Sequence, residues 1–286
     1  MDLISSVLEN QKRNDMTQFI GVTGLPRAGS TLVCQLLAQH PEIQSDNASS
    51  PLCTTLVGLR RMISSDPFLL SQLDQNFDST YSRLTGAMQG FLNGWCETDK
   101  KAIVDKNRGW LTSIELLLQL QPNAKLVICV RELGQVYGSI EAQHQKTIML
   151  DFPDHMAEFD RYTRADALFN KERMIGTPLD SLKSIENLPT EIASKCLYIM
   201  KFEDLMKYPT LVMSNLYDWL GVSPLEIDPM NLTVGIQESD SHYNMKFPHK
   251  QHKQIIPPKM HAIPPTIQHQ IESAYKWYYD TYYLTK

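Results

Sequence analysis

Short apolar runs that alternate with helical periodicities dominate the pattern of this chain. Four runs rich in β-branched and aromatic residues have the length of buried strands: residues 18–23, 102–105, 125–130 and 196–202. Apolar positions recur with helical spacing between and after them, at residues 30–39, 111–120, 134–145 and 209–220. Strands that alternate with helices predict an α/β fold with a central, mostly parallel sheet flanked by helices.

Two long stretches separate these strands without adding an apolar run of their own. Residues 47–100 and 151–195 show helical periodicity, and we predict helices there and no strand. Neither a repeat nor a low-complexity linker divides the chain, so we expect one domain spanning residues 1–286. Excursions of this kind commonly form the substrate-side wall of an α/β enzyme.

Composition and charge narrow the class of protein. With 286 residues, 42% hydrophobic and 21% charged, the chain has the composition of a globular protein and excludes a disordered chain or a fibre. The formal net charge of −5 disfavours general nucleic-acid binding, which needs a basic footprint. No apolar run reaches the length of a membrane span and the N-terminus lacks signal-peptide features, so we expect a cytoplasmic protein.

The five cysteines are widely scattered and contain no C-x-x-C pair, which argues against a zinc ribbon or a redox dithiol. His249 and His252 have metal-ligand spacing, but no carboxylate or cysteine flanks them. We therefore expect no metal site.

The sharpest motif is G-L-P-R-A-G-S-T at residues 24–31, between a predicted strand and a predicted helix. Gly29 permits a tight turn, while Ser30 and Thr31 place hydroxyls and amides at a helix N-terminus, where anions bind. The spacing is that of a P-loop, but Ser30 stands where the Walker lysine belongs and Arg27 supplies the cation instead. This difference argues against an ordinary ATPase or GTPase.

A second motif follows the predicted strand at 125–130. Arg131 emerges at its end and Ser139 comes eight residues later, in the next helix. The carboxyl ends of parallel strands form the edge where ligands bind in open α/β sheets, so Arg131 is a candidate anion ligand.

Together the two motifs resemble the sulfotransferases that use 3′-phosphoadenosine 5′-phosphosulfate (PAPS). The family's loop P-(K/R)-x-G-(S/T)-(S/T) is matched by residues 26–31, and its arginine with a serine eight residues on by Arg131 and Ser139. The segment 201–221 resembles the family's Y-E-D-L…P…L-x-x-(F/W)-L-G pattern, with Phe202 at the adenine-contacting tyrosine. The resemblance runs from about residue 18 to 222 and implies the family's P-loop-NTPase-like fold.

The resemblance also implies roles for individual residues. Arg27 and Lys106, which matches the family's strand-end lysine, would stabilise the transferred group and its leaving oxygen. Residues implied to bind the donor are Arg27, Ala28, Gly29, Ser30, Thr31, Arg131, Ser139 and Phe202.

The general base is where the chain departs from the family. Asn107 and Arg108 follow Lys106 where cytosolic small-molecule members carry histidine, which favours a bacterial-type or tyrosylprotein-like branch. The glutamate of tyrosylprotein-type members is replaced by Ala48. Asp46 is the nearest carboxylate and our candidate base, with Asp105 and His144 as weaker alternatives.

The cytosolic members' C-terminal R-K-G motif is absent, and a basic segment at about 241–265, rich in histidine and proline, stands in its region. We interpret it either as a solvated surface or as a loop over a polyanionic ligand, with Lys259 as a donor contact.

The activity implied is transfer of a sulfuryl group from PAPS to a hydroxyl or amine of a small-molecule, lipid or peptide acceptor, without a metal. A P-loop kinase and a donor-binding protein without turnover are the alternatives. The sequence leaves the acceptor and the oligomeric state open.

Overall fold

Five parallel strands form the sheet within residues 17–150, 158–235 and 251–284, which the computed structural model describes. The strands are β1 (Gln18–Gly24), β2 (Ile43–Ser49), β3 (Ala102–Lys106), β4 (Lys125–Val130) and β5 (Leu197–Lys201). Their order is β2-β3-β1-β4-β5. The predicted α/β class with a parallel central sheet is confirmed.

Helices follow the strands and cover the sheet. Those in the first half of the chain are α1 (Ser30–Leu37), α2 (Leu52–Ser64), α3 (Pro67–Gln75), α4 (Phe77–Trp95), α5 (Gly109–Thr112), α6 (Ile114–Leu120) and α7 (Leu133–Lys146). Those in the second half are α8 (Arg161–Phe169), α9 (Gly176–Ser184), α10 (Thr190–Cys196), α11 (Phe202–Lys207), α12 (Pro209–Leu220), α13 (Pro265–Ala274) and α14 (Lys276–Tyr282). The helix predicted at 111–120 is interrupted at Ser113, between α5 and α6.

Strand β2 corrects one prediction, because residues 47–100 do not lack a strand at their start. Its sequence, I-Q-S-D-N-A-S, is polar, and only Ile43 and Asn47 are buried in it. An edge strand needs little apolar surface, so a search for apolar runs misses it. The rest of that stretch is helical, as are α8, α9 and α10 in the second excursion, whose residues 151–157 lie outside the described residues.

The core lies between the sheet and its helices. Strand β4 is buried along five of its six residues, as expected for a strand covered on both faces. Four large aromatic side chains of the core are fully buried: Trp110, Tyr137, Tyr217 and Tyr278. The last of these belongs to α14, so the C-terminal helices are part of the core.

The strand order decides what stands at the carboxyl edge of the sheet. Strand β1 lies between β3 and β4, pairing Val22 with Lys106 on one side and Val127 on the other. The loop after β1, the end of β3 and the end of β4 therefore meet at one place, the edge where ligands bind in open α/β folds.

Candidate functional site

The loop after β1 turns sharply into α1. Gly24 has φ 119°, and a Cβ there would lie 2.2 Å from the Cys129 carbonyl oxygen, so glycine is required. Gly29, at φ 87°, is the N-cap of α1 and offers no side-chain cap. The first-turn amides of α1 are thus open to an anion, with the positive end of the helix dipole behind them.

Lys106 lies at this helix N-terminus. It is the last residue of β3, is 6% exposed, and its Nζ donates to Thr31 Oγ1 over 3.2 Å. The strand-end lysine and the first turn of α1, which are 75 residues apart in sequence, are therefore in direct contact. The ammonium adds a full charge where the helix supplies a partial one.

Arg131, Arg27 and Ser139 form the other half of the site. The Arg131 guanidinium donates through Nη1 to the Arg27 carbonyl oxygen (2.8 Å), and Arg27 Nε donates to Ser139 Oγ (3.1 Å). Arg131 is 6% exposed and Ser139, on α7, is 9% exposed. The structure thus brings the two motifs, more than 100 residues apart, into one hydrogen-bonded cluster.

The charge of this cluster favours an anion. Burial lowers the pKa of the Arg131 guanidinium; Glu203 opposes that shift and Arg27 adds to it. An arginine remains charged at any ordinary pH, so the cost of holding two neighbouring cations falls when an anion binds between them. A phosphate or sulfate fits this set of donors, since arginine binds such groups through two parallel hydrogen bonds.

Tyr278 fixes the position of Arg131, a contact that no motif of the sequence predicts. Its hydroxyl accepts from the Arg131 backbone N–H (3.2 Å) and donates to the Arg131 carbonyl oxygen (2.9 Å). Around it, Tyr279 Oη donates to Glu132 Oε1 (2.6 Å) and Tyr283 Oη to Glu203 Oε2 (2.9 Å). The only sequence signal for this support is the density of tyrosines near the C-terminus.

Phe202 also belongs to the cluster. The Arg131 guanidinium carbon lies 4.5 Å from the centroid of its ring. A Cβ on Gly29 would come within 2.7 Å of that ring. Gly29 is therefore needed both for its backbone conformation and for the approach of Phe202. Phe202, which the resemblance places at the adenine contact, therefore packs against the loop and Arg131.

The three carboxylate and histidine candidates for the base have different surroundings. Asp46 is exposed on β2, where the pairing with β3 shifts between Ser45 and Ser49. Such a bulge redirects side chains near active sites. Asp105 is 4% exposed, and since it precedes Lys106 on the strand it points to the opposite face, where Trp110 Nε1 donates to it (2.6 Å).

Burial raises the pKa of the Asp105 carboxyl, against hydrogen bonds from Ser50 and Trp110 that lower it. His144 is buried in α7, five residues beyond Ser139. Asp46 alone among the three is open to solvent.

The basic segment is described from residue 251 onward, so Lys246, Lys250 and His249 lie outside the described residues. Residues 251–264 have no helix or strand structure, and His261 and Ile263 near their end pack against Gly138 of α7. Lys259 is exposed there and acts electrostatically on His261, as Arg27 and Arg131 do. The segment therefore comes close to the cationic cluster.

Within the described ranges, no three histidine, cysteine, aspartate or glutamate side chains gather in a way that suits a metal ion. None of the helices described is both long and apolar enough to cross a membrane.

Solved structures of sulfotransferases share the fold. The sulfotransferase STF9 from Mycobacterium avium aligns with a TM-score of 0.51 and 16% identity, over 99% of this chain and 81% of that one. The sulfotransferase domain of the Synechococcus PCC 7002 olefin synthase aligns with a TM-score of 0.50 and 16% identity, over 91% and 94%. A sulfotransferase from Alicyclobacillus acidocaldarius gives 0.50 and 12%, over 91% of each chain.

No curated protein matches the chain by sequence. The family model described as the sulfotransferase family matches residues 20–226, more than two thirds of the chain and the whole of the cluster from Arg27 to Phe202. The chain belongs to the sulfotransferase family.

Proposed function

We propose that this protein transfers a sulfuryl group from PAPS to a hydroxyl or amine of an acceptor. The observation that carries the proposal is the joining of two anion-binding groups at one sheet edge: Lys106 with Thr31, and Arg131 with Arg27 and Ser139. PAPS carries a 3′-phosphate and a 5′-phosphosulfate on its ribose, so a protein that binds it needs two groups of anion ligands. A mononucleotide with a single phosphate chain needs one.

Different residues are assigned to the two anionic groups of the donor. The amides of residues 28–31 and Lys106 would hold the 5′-phosphosulfate, while Arg131 and Ser139 would hold the 3′-phosphate. PAPS supplies an activated sulfuryl group whose leaving oxygen belongs to a phosphate. Lys106 and Arg27 stabilise negative charge on that oxygen, and as fixed cations in a partly buried site they need little reorganisation to do so.

Acceptor activation is assigned to Asp46. Its exposed carboxylate stands on the bulge of β2, beside the strand that ends in Lys106. Proton removal from the attacking group typically contributes about 10²–10⁴-fold to the rate. The acceptor, a small molecule, lipid or peptide, would be enclosed by the helices of the two excursions.

Titration with adenosine 3′,5′-bisphosphate, the product left by PAPS, tests the donor. We expect calorimetry to show tight binding without magnesium and weak binding of ADP with magnesium. A P-loop kinase would show the reverse preference. In Arg131→Ala, removal of a charged bidentate contact should weaken bisphosphate binding by about tenfold or more. Lys195→Ala, an exposed change on α10, is the matched control, and equal affinities in the two variants would contradict the 3′-phosphate assignment.

A second experiment separates an enzyme from a binding protein. In the reverse reaction the sulfuryl group of 4-nitrophenyl sulfate passes to the bisphosphate, which gives PAPS and nitrophenolate, and the absorbance of nitrophenolate reports turnover with nitrophenol in the place of the natural acceptor. We expect turnover in the wild type and a loss of about 10²-fold or more in Lys106→Ala, which removes charge stabilisation from the transition state. Equal turnover in the wild type and Lys106→Ala would contradict the role of Lys106, and binding of the bisphosphate without release of sulfate from PAPS, even to water, would favour a binding protein.

A further inference from the structure

His261 lies in the segment that packs against α7, and its main chain is held at a defined place. The side-chain amide of Gln135 pairs with both polar backbone atoms of His261: Gln135 Nε2 donates to the carbonyl oxygen (3.0 Å), and the His261 N–H donates to Oε1 (2.8 Å). A two-point contact of this kind fixes orientation as well as position.

Gly138 brings the segment against the helix. A Cβ at Gly138 would lie 2.6 Å from His261 Cβ and 2.4 Å from Ile263 Cδ1, so no larger residue fits without moving the segment. The His261 Cβ, which carries the imidazole, thus lies over the backbone of α7 at Gly138, one residue before Ser139. Ser139 is the residue whose hydroxyl accepts from Arg27.

Charged groups from several elements lie around this imidazole, and Arg161 of α8 donates to the carbonyl oxygen of the adjacent Ala262. Four cations act on it: Arg131 at the end of β4, Arg27 in the loop, Lys146 in α7 and Lys259 in its own segment. The carboxylate at the start of α7, Glu132, is engaged elsewhere, because it accepts from two backbone amides of α7, from Gln268 and from Tyr279. The half-buried imidazole therefore stands in a positive field.

We propose that His261 is a proton-linked ligand of the 3′-phosphate held by Arg131 and Ser139, and that it takes up a proton when this dianionic phosphate enters. This inference rests on the proposed function and adds a residue and a pH dependence to it. The step is a proton transfer: an N–H bond forms on the imidazole while hydronium or a buffer acid gives up its proton, and the imidazolium then donates a hydrogen bond to the anion.

The direction of the proton movement follows from the charges. In the free protein, burial and then the four cations lower the pKa of His261, so the imidazole is neutral at neutral pH. A bound phosphate dianion reverses the sign of the local field and raises that pKa. The complex thus binds more protons than the free protein, and affinity increases as the pH falls through the pKa of the bound state. The gain ends below the pKa of the free state.

Calorimetry in two buffers of different ionisation enthalpy measures this proton. We expect net uptake when the wild type binds adenosine 3′,5′-bisphosphate at about pH 7.5, and its loss in His261→Gln, which cannot titrate. Between about pH 8 and about pH 6.5 the wild type should gain about three- to tenfold in affinity relative to that variant. The comparison also removes the titration of the ligand's own phosphates, which have a second pKa of about 6.

Two controls isolate the residue and the ligand group. His269→Gln, an exposed histidine of α13, should leave the proton uptake unchanged. Adenosine 5′-phosphate, which lacks the 3′-phosphate, should bind without any uptake that depends on His261.

The outcomes separate the two proposals. If the wild type binds the bisphosphate and His261→Gln shows the same uptake and pH profile, the role of His261 is wrong while the proposed function stands. If the wild type does not bind the bisphosphate, both fail. Should His261→Gln not fold, proton NMR of the wild-type histidines gives the answer directly, because one imidazole pKa must rise on addition of the bisphosphate.

Discussion

At the scale of single residues, Asp46 depends on its backbone for its position. The neighbouring Asn47 has φ 58°, and its side chain accepts from Ser45 Oγ and donates to the Thr233 carbonyl oxygen. These contacts stabilise an irregular strand end and leave the Asp46 carboxylate exposed beside it. A carboxylate held next to the strand that carries Lys106 is suited to removing a proton from an attacking group.

Release of sulfate from PAPS in water, with water as the acceptor, tests this assignment. We expect Asp46→Asn to reduce the rate by about 10²-fold, because the amide cannot accept the proton, and to leave bisphosphate affinity unchanged. Asp74→Asn, an exposed change on α3, is the control. Equal rates in the wild type and Asp46→Asn would exclude Asp46 as the base.

Motifs in the sequence predict the polar and charged residues of the candidate site, but not the residues that hold them in place. Arg27, Lys106, Arg131 and Ser139 stand in motifs with recognisable spacing, so each could be named in advance. Tyr278 contacts Arg131 through one hydroxyl group, and Gln135 contacts His261 through one side-chain amide. No local sequence pattern predicts such a contact. All the roles that the sequence assigns to individual residues stay predictions, those of Asp46, Phe202 and Lys259 included.

At the scale of elements, a buried ion pair joins α7 to α8. Glu141 is 2% exposed and accepts from Arg164 Nε (2.9 Å) and Nη2 (2.6 Å), and Arg164 also donates to the Phe159 carbonyl oxygen. Helix α7 carries Ser139 two residues before Glu141. The pair therefore holds the first described helix of the second excursion to the helix that carries Ser139.

Breaking this pair should destabilise the protein strongly. Glu141→Gln leaves the Arg164 guanidinium buried without its counter-charge, and we expect a loss of about 3–5 kcal/mol in the free energy of unfolding, measured in urea. The control is Asp180→Asn, which breaks an exposed pair with Lys171 and should change stability little. Similar unfolding curves for Glu141→Gln and the wild type would show that the pair is not a stability determinant.

The five strands differ in how well the sequence predicts them. Strands β1, β3, β4 and β5 are apolar because they are covered by helices, and their positions were predicted to within a residue or two. Strand β2 is an edge strand that pairs with β3, and its Asn47 donates to the Thr233 carbonyl oxygen and accepts from Gln251 Nε2 at its own carbonyl oxygen. Its strand character therefore depends on partners far away in sequence.

At the scale of the whole molecule, the amino-acid sequence by itself determined the fold class and the chemistry available. Alternating apolar runs and helical periods are local consequences of burial, and the loop at 24–31 with Arg131 and Ser139 predicts an anion site from the sequence alone. Only the tertiary structure decided which strands are neighbours. By placing β1 between β3 and β4, it put Lys106 and Arg131 on opposite sides of one loop.

The segment around His261 and the C-terminal tyrosines reach that loop through long-range packing. Their contacts depend on a glycine without a side chain, a single amide and a single hydroxyl. Such contacts form only in the complete fold and produce no periodic pattern in the sequence. The sequence therefore supplies the candidate residues of the site but not their arrangement.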